Sequence, residues 1–338
     1  MNTFFTGGPP WARERLWGPV ARQKAAQLGF DVRVNPATGD LSTEDWARAL
    51  EGVEALITTW GAPRLTADVL ARNTTLRIVG HAAGSVAGLV SPALHERGIP
   101  VVTANPVMAR TVAEWCLMIT QLTWHRFPDY AGGGRCGPLH WDRRDLVRGI
   151  HEATIAIWGY GTIGERLVRL LHPLEPREIL VHSSHLAPEE AAAAGVALVD
   201  FDELFARGDV IHLLAGLTRG NLGRVGAAQL RAIRDGAVLV NAGRAELVDH
   251  DALLAELRRD RFTAAFDVHH EEPLPLDSPF NALPNVILTP HCAFRGEEPL
   301  YVPHVLEEFD RFRRGEPLRS RVSSERAARM THENLRKA

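Results

Sequence analysis

Two parallel α/β sheets are predicted for this chain, on three observations. Short β-branched runs alternate with helical stretches, the pattern of strands joined by crossover helices. The alternation comes in two series, one ending near residue 106 and one beginning near 154, and 338 residues is the length of about two domains. The second series opens with TIAIWGYGTIGERLVRLL, in which Gly159, Gly161 and Gly164 separate an apolar run from an amphipathic one. The expected fold class is therefore α/β: a Rossmann cofactor domain over 107–297, and a smaller flavodoxin-like α/β substrate domain made of 1–106 with 298–338.

Taken in order, the first series places strands at 2–6, 30–34, 55–59, 76–80 and 101–104, with helices over 11–28 and 43–50 among them. A long helix follows at 108–124. The segment 127–141, FPDYAGGGRCGPLHW, reads as a loop because glycine and proline interrupt it. The second series puts strands at 154–158, 178–181, 210–213, 237–241, 264–267 and 286–288. A helix over 301–314 stops before Gly315, and the arginine-rich tail from Arg319 reads as loosely held.

Composition excludes several chemistries. Hydrophobic residues make up 45% of the chain, enough for substantial cores, and the net charge of −3 offers no global field for nucleic acid. Arginine supplies nearly all the positive charge, because Lys24 and Lys337 are the only lysines and neither sits in a motif. That disfavours a Schiff-base or P-loop lysine. No apolar run approaches the ~20 residues of a membrane span, and MNTFFTGGPPWARERLW lacks the order of a secretory signal. Cys116, Cys136 and Cys292 are odd in number and far apart, which fits free thiols and a cytoplasmic location better than a disulfide framework.

The glycine turn carries the first functional expectation. Between a strand and a helix, the first glycine allows the tight turn, the second admits a pyrophosphate, and the third lets helix and strand pack closely. The helix N-terminus then offers N–H groups to the phosphates. An acidic residue is expected about 20 residues on, to hold the ribose. The sequence there is EILVHSSHL, so His182, Ser183 and Ser184 stand where the acid would be. NAD and NADP both stay open as cofactors, since no arginine follows closely to clamp a 2′-phosphate. A ligand-free turn is the bland alternative.

Several ordered stretches between about 76 and 318 resemble the D-2-hydroxyacid dehydrogenase family. They are GIPVVTANPVMARTVAEW (98–115), the glycine turn, the block DVIHLLAGLTRGNLGRVGAAQLRAIRDGAVLVNAGRAELVDHDALLAEL, AAFDVHHEEPLPLDSPF and LPNVILTPHCA. The resemblance implies a catalytic set of Arg244 in VNAGRAELVD, Glu272 before a proline, and His291 in Thr-Pro-His. Arg244 would fork onto the carboxylate of a 2-oxo acid and polarise its carbonyl. Protonated His291 would supply the proton that the developing alkoxide needs, oriented by Glu272. It also implies cofactor contacts at Tyr160, Thr162 and Ile163 within the turn, at Leu214, Ala215, Gly216 and Thr218, at Asn241, Ala242 and Gly243, and at Asp267 beside the nicotinamide amide. The substrate would bind in a cleft between the domains, and the family leads one to expect a homodimer.

The chain departs from the family pattern in the missing ribose acid and in two further places. The substrate-binding turn reads GHAAGSVAGLV (80–90), so that Ala83, Gly84 and Ser85 would present backbone N–H groups without the Asp-Asn that more often follows. Phe294 and Arg295 stand just beyond His291, and Arg295 is a candidate contact for a second anionic group on the substrate, the alternative being a surface or interface arginine. The loop TTWGAPRLT (58–66) has Trp60 where a phosphoglycerate reading would prefer arginine. A thiol nucleophile at Cys292 and a metal at His269, His270, Glu271 and Glu272 are disfavoured, the latter because consecutive strand-end residues face opposite ways. Two rivals stay in play: an NAD(H)-binding sensor, corepressor-like, on the same fold, and a methyltransferase using the same turn.

Overall fold

The strands are runs in which valine, isoleucine, leucine and phenylalanine bury both faces, as parallel strands covered by helices require. The structure, a computed structural model, describes residues 1–35, 43–130 and 147–337. It divides into two compact units, Met1–Thr111 with Phe294–Ala338, and Val112–Ala293.

In the first unit, β1 (Thr3–Phe5), β2 (Val32–Val34), β3 (Ala55–Thr58), β4 (Ile78–His81) and β5 (Val101–Thr103) form a parallel sheet of order β2-β1-β3-β4-β5 among the described residues. This is the flavodoxin-like order. The helix expected over 11–28 is in fact two, Pro10–Leu16 and Pro19–Leu28. Pro19 has no N–H to give to a preceding turn, and Gly18 before it is extended at ψ −172°, as a following proline favours. Helix Tyr301–Arg313 returns to the same sheet, with Tyr301, Val305 and Phe309 fully buried beside Phe5, Ile57 and Ile78. Each such side chain contributes roughly 1.5–3 kcal/mol by leaving water. Gly80 on β4 permits the approach, because a side chain there would strike Val305 Cγ1. The tail is also docked rather than loose. Arg321 bridges to Val102, and Val322 and Ala327 are buried in the core between the arginines.

The second unit holds β6 (Thr154–Trp158), β7 (Glu178–His182), β8 (Ala197–Leu198), β9 (Val210–Leu213), β10 (Val238–Asn241), β11 (Thr263–Phe266) and β12 (Val286–Leu288). Among the described residues they form a parallel sheet of order β12-β11-β10-β9-β6-β7-β8. The strand order reverses between β6 and β9, the Rossmann switch point at which ligands bind. Strand β8 was not foreseen, because its two residues are exposed and carry no burial pattern. Helix Thr162–Leu171 buries Gly164, Leu167, Val168 and Leu171, one stripe at helical spacing. Of the expected loop 127–141, Phe127–Tyr130 is a helical turn, closed by Arg126 Nε on Asp129 Oδ2 at 2.7 Å, and the remainder, with Cys136, lies outside the described residues. No helix among the described residues is long and apolar enough to cross a membrane.

Candidate active site

Strand β6 ends at Trp158 and the chain turns at once into helix Thr162–Leu171. Gly159 has φ +104°, and a Cβ there would lie 2.6 Å from the Ala215 nitrogen, so glycine is required twice over. A side chain at Gly164 would strike the Gly159 carbonyl oxygen, while the space where a Gly161 side chain would sit is open for 4 Å. Gly161 caps the N-terminus of that helix, where first-turn N–H groups lie outside the intrahelical ladder. Gly159 N–H donates to the His182 carbonyl at 3.0 Å, and Leu214 N–H donates to the Trp158 carbonyl at 2.8 Å. The turn 159–164, the segment 182–184 and the segment 214–218 therefore meet along the neighbouring ends of β7, β6 and β9. A cradle that only glycine permits, opening onto backbone donors, fits the pyrophosphate of a dinucleotide.

The other predicted residues of this unit follow three adjacent strands at the same edge of the sheet. After β10, Asn241 Oδ1 accepts from Gly243 N–H at 3.0 Å, and its Nδ2 donates to the Arg244 carbonyl at 2.9 Å. Ala242 and Gly243 are thereby folded into a tight turn, and Arg244 Nη1 donates to the Gly243 carbonyl at 2.7 Å. After β11 comes Asp267, only 2% exposed. Its Oδ1 accepts from Thr289 Oγ1 at 2.6 Å and Cys292 N–H at 2.8 Å, and its Oδ2 accepts from Ala293 N–H at 2.9 Å. Any contact to a nicotinamide amide would share oxygens already used to fold the turn after β12.

That turn presents His291. Its Nδ1 donates to Glu272 Oε2 at 2.9 Å, with both side chains partly accessible. Glu272 Oε1 accepts from the His269 N–H at 3.0 Å, and the His269 ring donates through Nε2 to the Thr289 carbonyl at 2.9 Å. The His291 backbone lies at φ +47°, a left-handed conformation that costs a residue other than glycine on the order of 1 kcal/mol. Asp267, gripping the residues on either side, holds it there. Burial and then the Asp267 carboxylate push the Cys292 thiol above its ordinary range, the opposite of what a thiolate nucleophile requires.

The predicted substrate residues Ala83, Gly84, Ser85 and Arg295 belong to the first unit. Thr103 Oγ1 bridges the carbonyls of Ala83 and Gly84 at 2.8 and 3.1 Å, and Ser85 Oγ donates to the Thr331 carbonyl at 2.7 Å. Arg295 Nη1 lies 3.3 Å from Oε1 of the fully buried Glu298, which also binds Arg15 at 3.1 Å. The Arg295 guanidinium stacks 4.2 Å from the ring centre of Trp11 and 4.9 Å from that of Phe294.

Residues 119–293, half of the chain, match the family model described as D-isomer specific 2-hydroxyacid dehydrogenase, NAD binding domain. The chain belongs to the D-isomer specific 2-hydroxyacid dehydrogenase family. Among its relatives in this family is the glyoxylate/hydroxypyruvate reductase B of Yersinia pseudotuberculosis, 31% identical over 75% of this chain and 78% of that one. Another is the D-3-phosphoglycerate dehydrogenase of Archaeoglobus fulgidus, 29% identical over 87% of this chain and 55% of that one. This chain spans about half the length of the phosphoglycerate dehydrogenases that it matches. A phosphoglycerate oxidoreductase from Rhizobium etli has a similar crystal structure, at TM-score 0.79 and 27% identity over 96% of this chain and 99% of that one.

Two residues of this dehydrogenase-family site escaped the sequence reading. From the sequence His269 reads only as a disfavoured metal ligand, yet its N–H and ring brace Glu272 and Thr289. Thr289 ties Asp267 to the turn, and its place in the Thr-Pro-His motif was the available signal.

Proposed function

We propose that this chain is a nicotinamide-dependent oxidoreductase that interconverts a 2-oxo acid and a D-2-hydroxy acid. The observation that carries the reading is the His291–Glu272 pair, 2.9 Å apart at the strand edge that also presents Arg244. A nicotinamide dinucleotide, NAD or NADP, supplies or accepts the hydride at the carbon bearing the oxygen. Arg244 binds the substrate carboxylate through its fork and polarises the neighbouring carbonyl. Glu272 holds the proton of His291 on Nδ1, so that Nε2 exchanges the proton with the substrate oxygen. In reduction His291 gives that proton to the alkoxide, and in oxidation neutral His291 takes it back.

Arg295 shares the buried Glu298 with Arg15, so a second substrate anion would compete with that pair. Trp60, 5.2 Å from Trp11 and 5.7 Å from Phe294, makes the loop after β3 aromatic rather than cationic. Both features favour a substrate with a single carboxylate over a phosphorylated one.

Absorbance loss of NADH and NADPH with a panel of 2-oxo acids, phosphorylated members included, tests the reading. Turnover should fall roughly 10²- to 10⁴-fold in His291→Ala. Equal turnover in the variant would remove His291 from the chemistry. Cofactor binding with no turnover on any member would favour a sensor.

A further inference from the structure

The ribose end of the glycine-turn site has no acid. Strand β7 ends at His182, and Ser183, Ser184, His185, Leu186 and Ala187 follow without a carboxylate. An aspartate or glutamate there would accept from a ribose 2′-hydroxyl and repel a 2′-phosphate. The turn is polar and closed on itself instead. His182 Nδ1 donates to the Val199 carbonyl at 3.0 Å, and Ser183 Oγ accepts from His185 N–H at 3.4 Å.

An arginine reaches this corner from far away in the sequence. Phe201, just after β8, packs its ring 5.4 Å from His182 and 4.9 Å from Trp158, at the ends of β7 and β6. Arg224, from the segment after β9, lies with its guanidinium carbon 3.9 Å above that same Phe201 ring and 5.8 Å from Trp158. The ends of β6 and β7, the start of the helix after β8 and the segment after β9 thus meet at one aromatic ring that carries a cation. Among the described residues no carboxylate is paired with Arg224, whose side chain is exposed. The acids on the Phe201 helix are otherwise engaged: Asp202 accepts from Gln229, and Glu203 accepts from Arg207 and the Asp200 N–H. Stacking on a ring fixes the guanidinium plane and leaves its N–H edges outward, the arrangement that forks onto a phosphate.

We infer that the dinucleotide site is built for NADP(H), with Arg224 on its Phe201 platform receiving the ribose 2′-phosphate beside the Ser183–Ser184 turn. The inference rests on the nicotinamide-dinucleotide reading and adds the choice of cofactor to it. A charged hydrogen bond to phosphate is the term that separates the two cofactors.

Calorimetric titration of the full chain with NADPH and with NADH, without substrate, measures that choice directly. The wild type should bind NADPH more tightly than NADH. Arg224→Gln should shrink the ratio of the two affinities by roughly 10- to 100-fold. Ser183→Asp, which restores an acid at the turn, should shrink or reverse it. Thermal melting of each variant checks that an exposed substitution has left the fold intact. Wild-type preference for NADH, or an affinity ratio unchanged in Arg224→Gln, overturns the inference while leaving a nicotinamide enzyme. Binding of neither cofactor overturns the underlying reading as well.

Discussion

Replacing Asp267 with asparagine keeps the side chain's shape and removes its charge. In the native site three donors point at this carboxylate, two at Oδ1 and one at Oδ2. The amide oxygen can take the Oδ1 place and keep Thr289 and Cys292. The amide NH₂ must then face the Ala293 N–H, donor against donor, where the wild type had a charged acceptor. Ala293 is 6% exposed, so water offers little relief. Leaving that buried donor unsatisfied, and losing the charge from the remaining bonds, costs about 3 kcal/mol. For a unit of the length of Val112–Ala293, that lowers the melting midpoint by roughly 6–12 °C. The left-handed His291 also loses its brace, so turnover should fall even at temperatures where the variant is folded. Tryptophan-monitored melting, with 2-oxo acid reduction assayed well below the midpoint, measures both effects. A midpoint within about 2 °C of wild type together with unchanged turnover would refute the reasoning.

Three further outcomes are expected. Glu272→Gln should lower turnover about 10²-fold while calorimetry shows cofactor affinity unchanged, because the residue orients His291 and does not line the glycine turn. His212 is fully buried against Thr120 at 2.8 Å, and burial lowers its pKa from 6.5 to about 3. The unfolded chain then takes up a proton near pH 6.5 that the folded one refuses, so stability present above that pH is lost as the pH falls towards 3. The unfolding free energy from urea titrations should therefore drop between pH 7 and pH 5 by about 2 kcal/mol less in His212→Gln than in wild type. Gly80→Ala should destabilise the first unit by about 1–3 kcal/mol in the same assay, since its Cβ meets Val305 and the Phe309 ring.

The alternation of strands and helices was legible because a parallel strand must be apolar along its length, and both sheets follow from it. The break at Gly18–Pro19 is written in the sequence, since proline ends a helix at the residue before it. Strand β8 could not be read, since two exposed residues pair only because β7 lies beside them. Arg244, Glu272 and His291 stand as candidates through motif resemblance alone, and the structure adds the bond that joins the last two. Arg224 was invisible beside the glycine turn, for its proximity depends on Phe201 and a loop from another strand. The tail misled by composition: its arginines suggest solvent, while Val322 and Ala327 between them are buried.

The return of helix Tyr301–Arg313 to the first sheet bears on how the protein is made. A ribosome releases β1 to β5 early, yet the apolar face formed by Phe5, Ile57 and Ile78 has only the small residues and leucine of the first two helices, such as Ala12, Leu16, Ala21 and Ala25, beside it until Tyr301, Val305 and Phe309 have been synthesised. The whole of the second unit, Val112–Ala293, emerges in the interval. The first unit to be translated is therefore the last that can be completed. A nascent chain stalled before residue 301 would display an oily half-sheet to the cell, the kind of surface that chaperones hold and that aggregates grow from.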